Sequence, residues 1–181
     1  MHILIIGAAG MVGRKLAGRL AVDGQLGGQG VDVLTLADMV EADAPAGFTG
    51  EVRTAALDIS KPGEVEKLVA ARPDVIFHLA AIVSGEAEAD FEKGYAINLD
   101  GTRFLFEAIR LQSTREAARE PYKPRVVFSS SIAVFGAPFP EKIGDEFFTT
   151  PLTSYGTQKA MGELLLSDYS RRGFFDGIGI R

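Results

Sequence analysis

Short apolar runs alternate along this chain of 181 residues with segments that carry apolar residues at helical spacing. Most of the runs are continuously apolar, which is typical of strands that helices cover on both faces. Because each crossover between parallel strands needs a helix to return the chain, the alternation predicts an α/β fold with a doubly wound parallel sheet, in one domain over 1–181. The predicted strands are ILII (3–6), VDVLTL (31–36), VRTAAL (52–57), DVIFHL (74–79), RVVF (125–128) and GIGI (177–180).

Four segments between the predicted strands each show one apolar helix face. In the second segment, Ser60 is the expected N-cap and Pro62 lies in the expected first turn. The stretch GQLGGQG (24–30) is predicted to be a loop, and QSTREAAREPYKP (112–124) an exposed helix end followed by a turn. The four faces consist of Val12, Leu16 and Leu20; Val65, Leu68 and Val69; Phe91, Tyr95, Asn98, Thr102, Leu105 and Ile109; and Met161, Leu164 and Leu165.

Composition and charge exclude several classes of function. The net charge is −5 and no block of basic residues stands out, so a nucleic-acid surface is not expected. The chain has no cysteine, which excludes disulfides, thiolate metal sites and a thiol nucleophile, and we predict no metal site. Without a leader-like start or an apolar run of about 18 residues, a soluble cytoplasmic protein is expected. The last residues, DGIGIR (176–181), read as the beginning of a strand, so we expect the chain to be a fragment.

The stretch GAAGMVG places three glycines, Gly7, Gly10 and Gly13, between the first predicted strand and the first helix. Glycines there let the backbone turn tightly and approach a diphosphate, whose charge is stabilised by the helix N-terminus. Met11 and Val12 lie between the last two glycines and join this candidate dinucleotide site. The alternative is a tight turn that only packs a helix on a strand.

Two carboxylates follow later strands. Asp38 ends the second strand, 25 residues past Gly13, where a carboxylate can accept both ribose hydroxyls of an adenosine and repel a 2′-phosphate. This position favours NAD over NADP, while the basic pair at 14–15 weakly favours NADP. A loop-capping role is the alternative for Asp38. Asp58, followed by Ile59, could meet the adenine amine or serve as a turn residue.

Small and polar residues follow two central strands. In HLAAIVSG (78–85), Leu79, Ala80 and Ala81 leave room for a flat ligand, and His78 is interpreted as structural. In FSSSIAVFG (128–136), three serines follow a strand at the edge where such sheets bind ligands, although a plain turn has the same composition. The chain lacks a Gly-x-Ser-x-Gly elbow, so a serine hydrolase is not favoured.

The segment SYGTQK places Tyr155 and Lys159 four residues apart, on one face if the segment is helical. A phenol ordinarily ionises near pH 10, whereas a lysine charge about 4–6 Å away favours the phenolate. The pair is therefore a candidate general base with its activating cation. The same spacing also arises by accident, with an ordinary aromatic beside a surface lysine.

Together these motifs resemble the extended short-chain dehydrogenase/reductase family, which includes nucleotide-sugar epimerases. The resemblance implies a Rossmann fold with NAD as cofactor. It implies that Ser131 holds the reacting oxygen, that Tyr155 is the acid/base, and that Lys159 binds the nicotinamide ribose and activates the tyrosine. Asn98 would fix a water or the helix that supports the site. The motifs, in order, are GAAGMVG, Asp38, LDIS, HLAA, NLDGT, FSSSIAVFG and PLTSYGTQK.

The chain departs from the family pattern at Ile6, where many members have threonine, and at Gln158, where serine or threonine often precedes the lysine. The substrate-binding part of the family would follow the end of this chain. Ser131 is followed by Ile132 and Ala133, which disfavours dehydratase chemistry.

Within the family, the chain resembles dehydrogenases that oxidise the C2 hydroxyl of a small sugar acid, an aldonate. This resemblance rests on GAAGMVGRKLAGRL, HLAAIVSGEAE and SYGTQKAMGELLLSDYSRRGF. Ser84 is a further candidate substrate contact. Two rival functions stay open: a 4-epimerase that keeps its NAD bound, and a non-catalytic NAD sensor. Family resemblance also suggests a homodimer packed through the helices that carry Asn98 and Tyr155.

Overall fold

The structure, a computed structural model, describes residues 1–114 and 122–181. In these residues six strands form one parallel sheet in the order β5-β4-β1-β6-β7-β8. The sheet strands are β1 (His2–Ile6), β4 (Val33–Asp38), β5 (Glu51–Ala56), β6 (Val75–His78), β7 (Arg125–Ser129) and β8 (Asp176–Ile180). All six predicted strands are confirmed, as is the doubly wound parallel sheet.

Helices pack on both faces of this sheet. Along β1, Ile3 and Ile5 join one buried cluster and Leu4 and Ile6 join another, because successive side chains of a strand point to opposite faces. The helices are α1 (Met11–Asp23), α2 (Glu64–Val69), α3 (Ser84–Ala89), α4 (Phe91–Gly94), α5 (Gly101–Ser113) and α6 (Ser154–Arg171). A π-helical turn, Tyr95–Asp100, joins α4 to α5.

Two local predictions are wrong. The predicted loop 24–30 contains a short antiparallel hairpin, β2 (Gln25–Leu26) and β3 (Gln29–Gly30), because Gly27 and Gly28 both take the positive φ that a tight hairpin turn requires. Helix α2 begins at Glu64 with Gly63 as its N-cap, so neither Ser60 nor Pro62 lies in it. The Ser60 hydroxyl instead donates to Asp58 Oδ1 at 2.6 Å.

Three predicted helix faces are only partly buried. Val12 in α1 and Phe91 in α4 are exposed, although the later residues of both faces pack inward. On α6, Leu164 is 69% exposed, while Leu166 is buried. The prediction for 112–124 falls largely on 115–121, outside the described residues. No helix in residues 1–114 and 122–181 combines the length and apolarity needed to cross a bilayer.

Candidate active site

The sheet order changes direction between β1 and β6, and ligands of doubly wound sheets bind at the carboxyl end of the strands at such a point. A cavity of about 330 Å³ lies there. It collects most of the predicted cofactor-binding residues: Gly7, Gly10, Asp38, Asp58, Ile59, Leu79, Ala80 and Ala81. Residues that the sequence did not single out also line it, among them Met39, Val40, Leu57, Ile82 and Ile97.

Five residues predicted to bind cofactor do not line this cavity: Met11, Val12, Gly13, Tyr155 and Lys159. Met11 and Val12 are mostly exposed at the start of α1. Gly13 is buried beneath the glycine loop, and its contribution is to let α1 approach that loop closely.

The glycine loop is shaped by close backbone approach. Gly7 has φ +93°, and a Cβ on it would lie 2.6 Å from the backbone nitrogen of Ala80. A Cβ on Gly13 would lie 2.1 Å from the carbonyl oxygen of Gly7. Both contacts are too short for any side chain, so glycine at these two positions lets the loop lie against Ala80 and against the N-terminus of α1, whose first turn has no side-chain cap. This arrangement fits the diphosphate of a dinucleotide.

Asp38 is the last residue of β4, and its carboxylate forms a hydrogen bond to the backbone of the glycine loop. Oδ2 accepts from the backbone N–H of Ala9 at 2.9 Å, and Oδ1 accepts from that of Met39 at 2.7 Å. The loop-capping role is therefore present. Each carboxylate oxygen can accept a further bond, so ribose recognition stays a prediction.

Asp58 likewise has a structural role in the cavity wall. It accepts from the N–H of Ser60 at 2.9 Å and from its hydroxyl, and these bonds lower the pKa of the Asp58 carboxyl, the side-chain hydrogen bond most strongly. The turn role is thus observed, while contact with an adenine amine stays a prediction.

Tyr155 and Lys159 lie one turn apart near the start of α6. Thr153 caps this helix by accepting from the N–H of Gly156 at 3.0 Å. The Lys159 Nζ lies 5.7 Å from the centre of the Tyr155 ring. Tyr155 is half-buried, and its hydroxyl makes no hydrogen bond to any residue that the structure describes.

The turn that follows β7 packs directly on the start of α6. A Cβ on Gly156 would lie 2.2 Å from the carbonyl oxygen of Ala133, so only glycine permits this approach. Ser131 caps the short 3₁₀ turn Ile132–Val134, and its Oγ accepts from the N–H of Ala133 at 3.1 Å. The Ser131 hydroxyl proton is therefore free to be donated elsewhere. The segments that carry Ser131 and Tyr155 are thus brought together.

Lys159 is 2% exposed, and its Nζ donates to the backbone oxygen of Ser129 at 2.7 Å. Burial lowers the pKa of the Lys159 ammonium to about 8. At neutral pH the ammonium therefore still carries a charge beside the tyrosine ring.

Asn98 lies in the π-helical turn and is 1% exposed. Its Oδ1 accepts from the N–H of Ile82 at 2.9 Å, and its Nδ2 donates to the Ile82 carbonyl and to Gln158 Oε1 at 3.2 Å and 2.8 Å. Both amide hydrogens are thus used inside the chain. This use favours the supporting role predicted for Asn98 over the holding of a water by its side chain.

His78 is buried at the end of β6, as expected of a structural residue. Its Nε2 lies 2.8 Å from the Thr102 hydroxyl oxygen, and that hydroxyl donates its only proton to the Asn98 carbonyl. The imidazole therefore donates from Nε2. Burial, and secondarily the charge of Lys159, lowers the pKa of His78 to about 3. Ser84, at the exposed start of α3, stays an untested substrate contact.

Residues 3–181 match the model of the NAD dependent epimerase/dehydratase family. The chain belongs to that family, which confirms the predicted family, the Rossmann fold and NAD as the cofactor. Two D-erythronate dehydrogenases, from Cupriavidus necator and Haemophilus influenzae, are 45% and 41% identical over the whole chain.

A crystal structure described as the nucleoside-diphosphate-sugar epimerase from Agrobacterium tumefaciens is 72% identical over the whole chain, with a TM-score of 0.95. The chain spans about half the length of these relatives: 54% of each dehydrogenase and 52% of the Agrobacterium protein.

Proposed function

We propose that this chain is the dinucleotide-binding part of an NAD-dependent dehydrogenase that oxidises the C2 hydroxyl of a small sugar acid similar to D-erythronate. The main support is the Tyr155–Lys159 pair beside the Ser131 turn, in a chain similar over its whole length to D-erythronate dehydrogenases. The substrate-binding part would lie in the remaining half that the relatives have.

Each side chain has a separate task in the proposed reaction. Tyr155 is the general base that takes the proton of the alcohol, and the Lys159 ammonium lies beside its ring. The Ser131 hydroxyl donates a hydrogen bond to the same alcohol oxygen and orients it. Bound NAD would supply the acceptor for the hydride that leaves the carbon.

The proposal is tested in the full-length protein by following NADH formation with NAD and D-erythronate. We expect Tyr155→Phe to lower kcat by about 10²- to 10⁴-fold, the usual contribution of a general base, while the Kd for NAD stays unchanged. Tyr169→Phe is the matched control, because Tyr169 lies on the same helix but bonds to Glu107. A fully active Tyr155→Phe variant would disprove the base assignment.

A 4-epimerase is the second candidate, supported by the description of the Agrobacterium relative. Such an enzyme would use the same side chains but return the hydride to its substrate. Release of free NADH with an aldonate supports the dehydrogenase, whereas interconversion of nucleotide sugars without net NADH supports the epimerase. NAD binding without turnover of either substrate class would favour the third alternative, a sensor.

We also propose a homodimer packed through α6, which carries Tyr155, and through α5 with the π-helical turn before it, which carries Asn98. Leu99, Met161, Leu164 and Leu165 line an open apolar groove on the outer side of these helices, with Asp100 and Arg103 beside them. Because the groove leaves Leu164 exposed, a second copy of the same groove is the occupant that would bury it.

A further inference from the structure

Gln158 has no role in the reaction as described, yet it is fully buried on α6 immediately before Lys159. Its Oε1 accepts the Asn98 Nδ2 bond at 2.8 Å, and its Nε2 has no partner in the described residues. A buried amide with an unpaired N–H group is unfavourable compared with an apolar side chain of the same size. This cost argues that Gln158 does more than fill space.

The contact continues from Asn98 to the wall of the cofactor cavity. The Asn98 amide holds both backbone polar groups of Ile82, which directly follows Leu79–Ala81 in that wall. The Ile82 N–H needs an oxygen, and the Ile82 carbonyl needs a donor. Only one orientation of the Asn98 amide satisfies both groups, and Gln158 Oε1 accepts the remaining amide hydrogen in that orientation.

We propose that Gln158 is a positioning residue that fixes the amide of Asn98 and thereby ties the cavity wall at Ile82 to the helix that carries Tyr155 and Lys159. The inference rests on the proposed function, because the two parts that it joins are the cofactor wall and the candidate base. It also explains the departure from the family pattern at this position, since a serine or threonine is too short to reach Asn98.

The first test is hydrogen exchange at the Ile82 amide of the full-length protein, which requires no activity. We expect Gln158→Met to accelerate this exchange by about tenfold, because Asn98 loses the contact that holds its orientation. The Leu79 amide, which donates to the Ile6 carbonyl at 2.8 Å, is the internal reference and should not change. Unchanged protection of Ile82 would overturn the proposal.

The second test is a double-mutant cycle on kcat for NADH formation. In the wild-type background, Gln158→Met should lower kcat about tenfold. In the Asn98→Ala background the same substitution should not lower kcat further, because Gln158 acts through Asn98. Additive losses would mean that Gln158 only packs the core and would overturn the proposal. Gln112→Met on α5 is the matched control, because the side chain of Gln112 makes no hydrogen bond to a described residue.

A conservative variant keeps the proposal testable if Gln158→Met does not fold. Gln158→Glu retains an oxygen that accepts from Asn98 Nδ2, so we expect it to preserve Ile82 protection and most of the activity. A folded Gln158→Glu variant that loses Ile82 protection would contradict the proposal. If the wild-type protein produces no NADH, the proposed function fails, whereas the exchange experiment still decides the role of Gln158.

Discussion

At the scale of the residue, Lys159 combines nearly complete burial with a formal charge. No carboxylate within 1–114 or 122–181 forms an ion pair with it. Its contacts are the Ser129 carbonyl and the faces of the Phe128 and Tyr155 rings, with Nζ 4.9 Å from the centre of the Phe128 ring. These contacts offset only part of the free-energy cost of removing an ammonium group from water.

Lys159→Met should therefore stabilise the fold while abolishing activity. Burial lowers the pKa of Lys159 from 10.5 to about 8 in the folded chain. Between these values the unfolded chain binds more protons, so the free energy of unfolding of the wild type rises with pH across that window. We expect the variant to be more stable by roughly 2 kcal/mol at pH 7, with the difference disappearing by about pH 10.

Urea unfolding of both proteins at pH 7 and pH 10 measures this difference directly. Lys67→Met is the matched control, because Lys67 is exposed and pairs with Glu64 on α2. A Lys159→Met variant less stable than the wild type at pH 7 would show that the Ser129 contact outweighs the desolvation of the ammonium group.

The sequence predicted that Tyr155 and Lys159 share one helix face because that signal is local: the two residues are one helical turn apart. The role of Gln158 was missed because it depends on Asn98, 60 residues away in the chain. A polar residue inside a helical pattern is normally read as solvent-facing. The available signal was the departure from the family pattern at Gln158, directly before a lysine that was predicted to belong to the site.

At the scale of the element, the glycine loop and α1 form one packed unit. The loop carbonyl of Gly7 leaves no space for a side chain at Gly13, whereas Gly18, further along α1, has nothing within 4 Å of an added Cβ. The two glycines therefore differ in what they contribute. Gly13 permits close packing, and Gly18 only weakens the helix.

Gly13→Ala should lower the free energy of unfolding by about 2 kcal/mol and remove measurable NAD binding, because α1 must move away from the loop. Gly18→Ala, the matched control on the same helix, should raise the free energy of unfolding by roughly 0.5 to 1 kcal/mol and leave NAD affinity unchanged. Urea titration and calorimetric NAD binding give both quantities. Wild-type affinity in Gly13→Ala would exclude the loop as the diphosphate site.

A whole strand or helix could be predicted from the sequence where one physical constraint determines its residue pattern. The four inner strands are mostly buried and read as apolar runs, which is why they were found. The edge strands β5 and β8 are largely exposed, and their shorter apolar stretches were still enough to predict them. The start of α2 was not predicted correctly, because Asp58 takes the hydrogen bonds of Ser60. Two backbone turns, closed by Lys61 N–H to the Asp58 carbonyl and by Glu64 N–H to the Lys61 carbonyl, then precede the helix. The hairpin at 24–30 was not predicted, because its strands are two residues long and show no periodicity.

At the scale of the whole molecule, the outer side of α5 and α6 presents an unusual surface. Leu164 is 69% exposed within an apolar groove of about 520 Å³. The sequence predicted this apolar face but could not decide between the sheet and another chain, because helix α6 carries apolar residues all round. The buried side of α6 consists of small residues, Leu166 and the polar pair Gln158 and Lys159 instead.

The proposed homodimer makes Leu164→Glu a specific disruptor. Two copies related by a two-fold axis would bring two carboxylates into one apolar interface, so we expect the variant to sediment as a monomer and the wild type as a dimer. The fold should be unaffected, because the replaced side chain is exposed in the single chain. Val22→Glu on α1 is the matched control, since Val22 is 80% exposed away from the groove. Equal masses for wild type and Leu164→Glu in analytical ultracentrifugation would place the dimer contact elsewhere or exclude it.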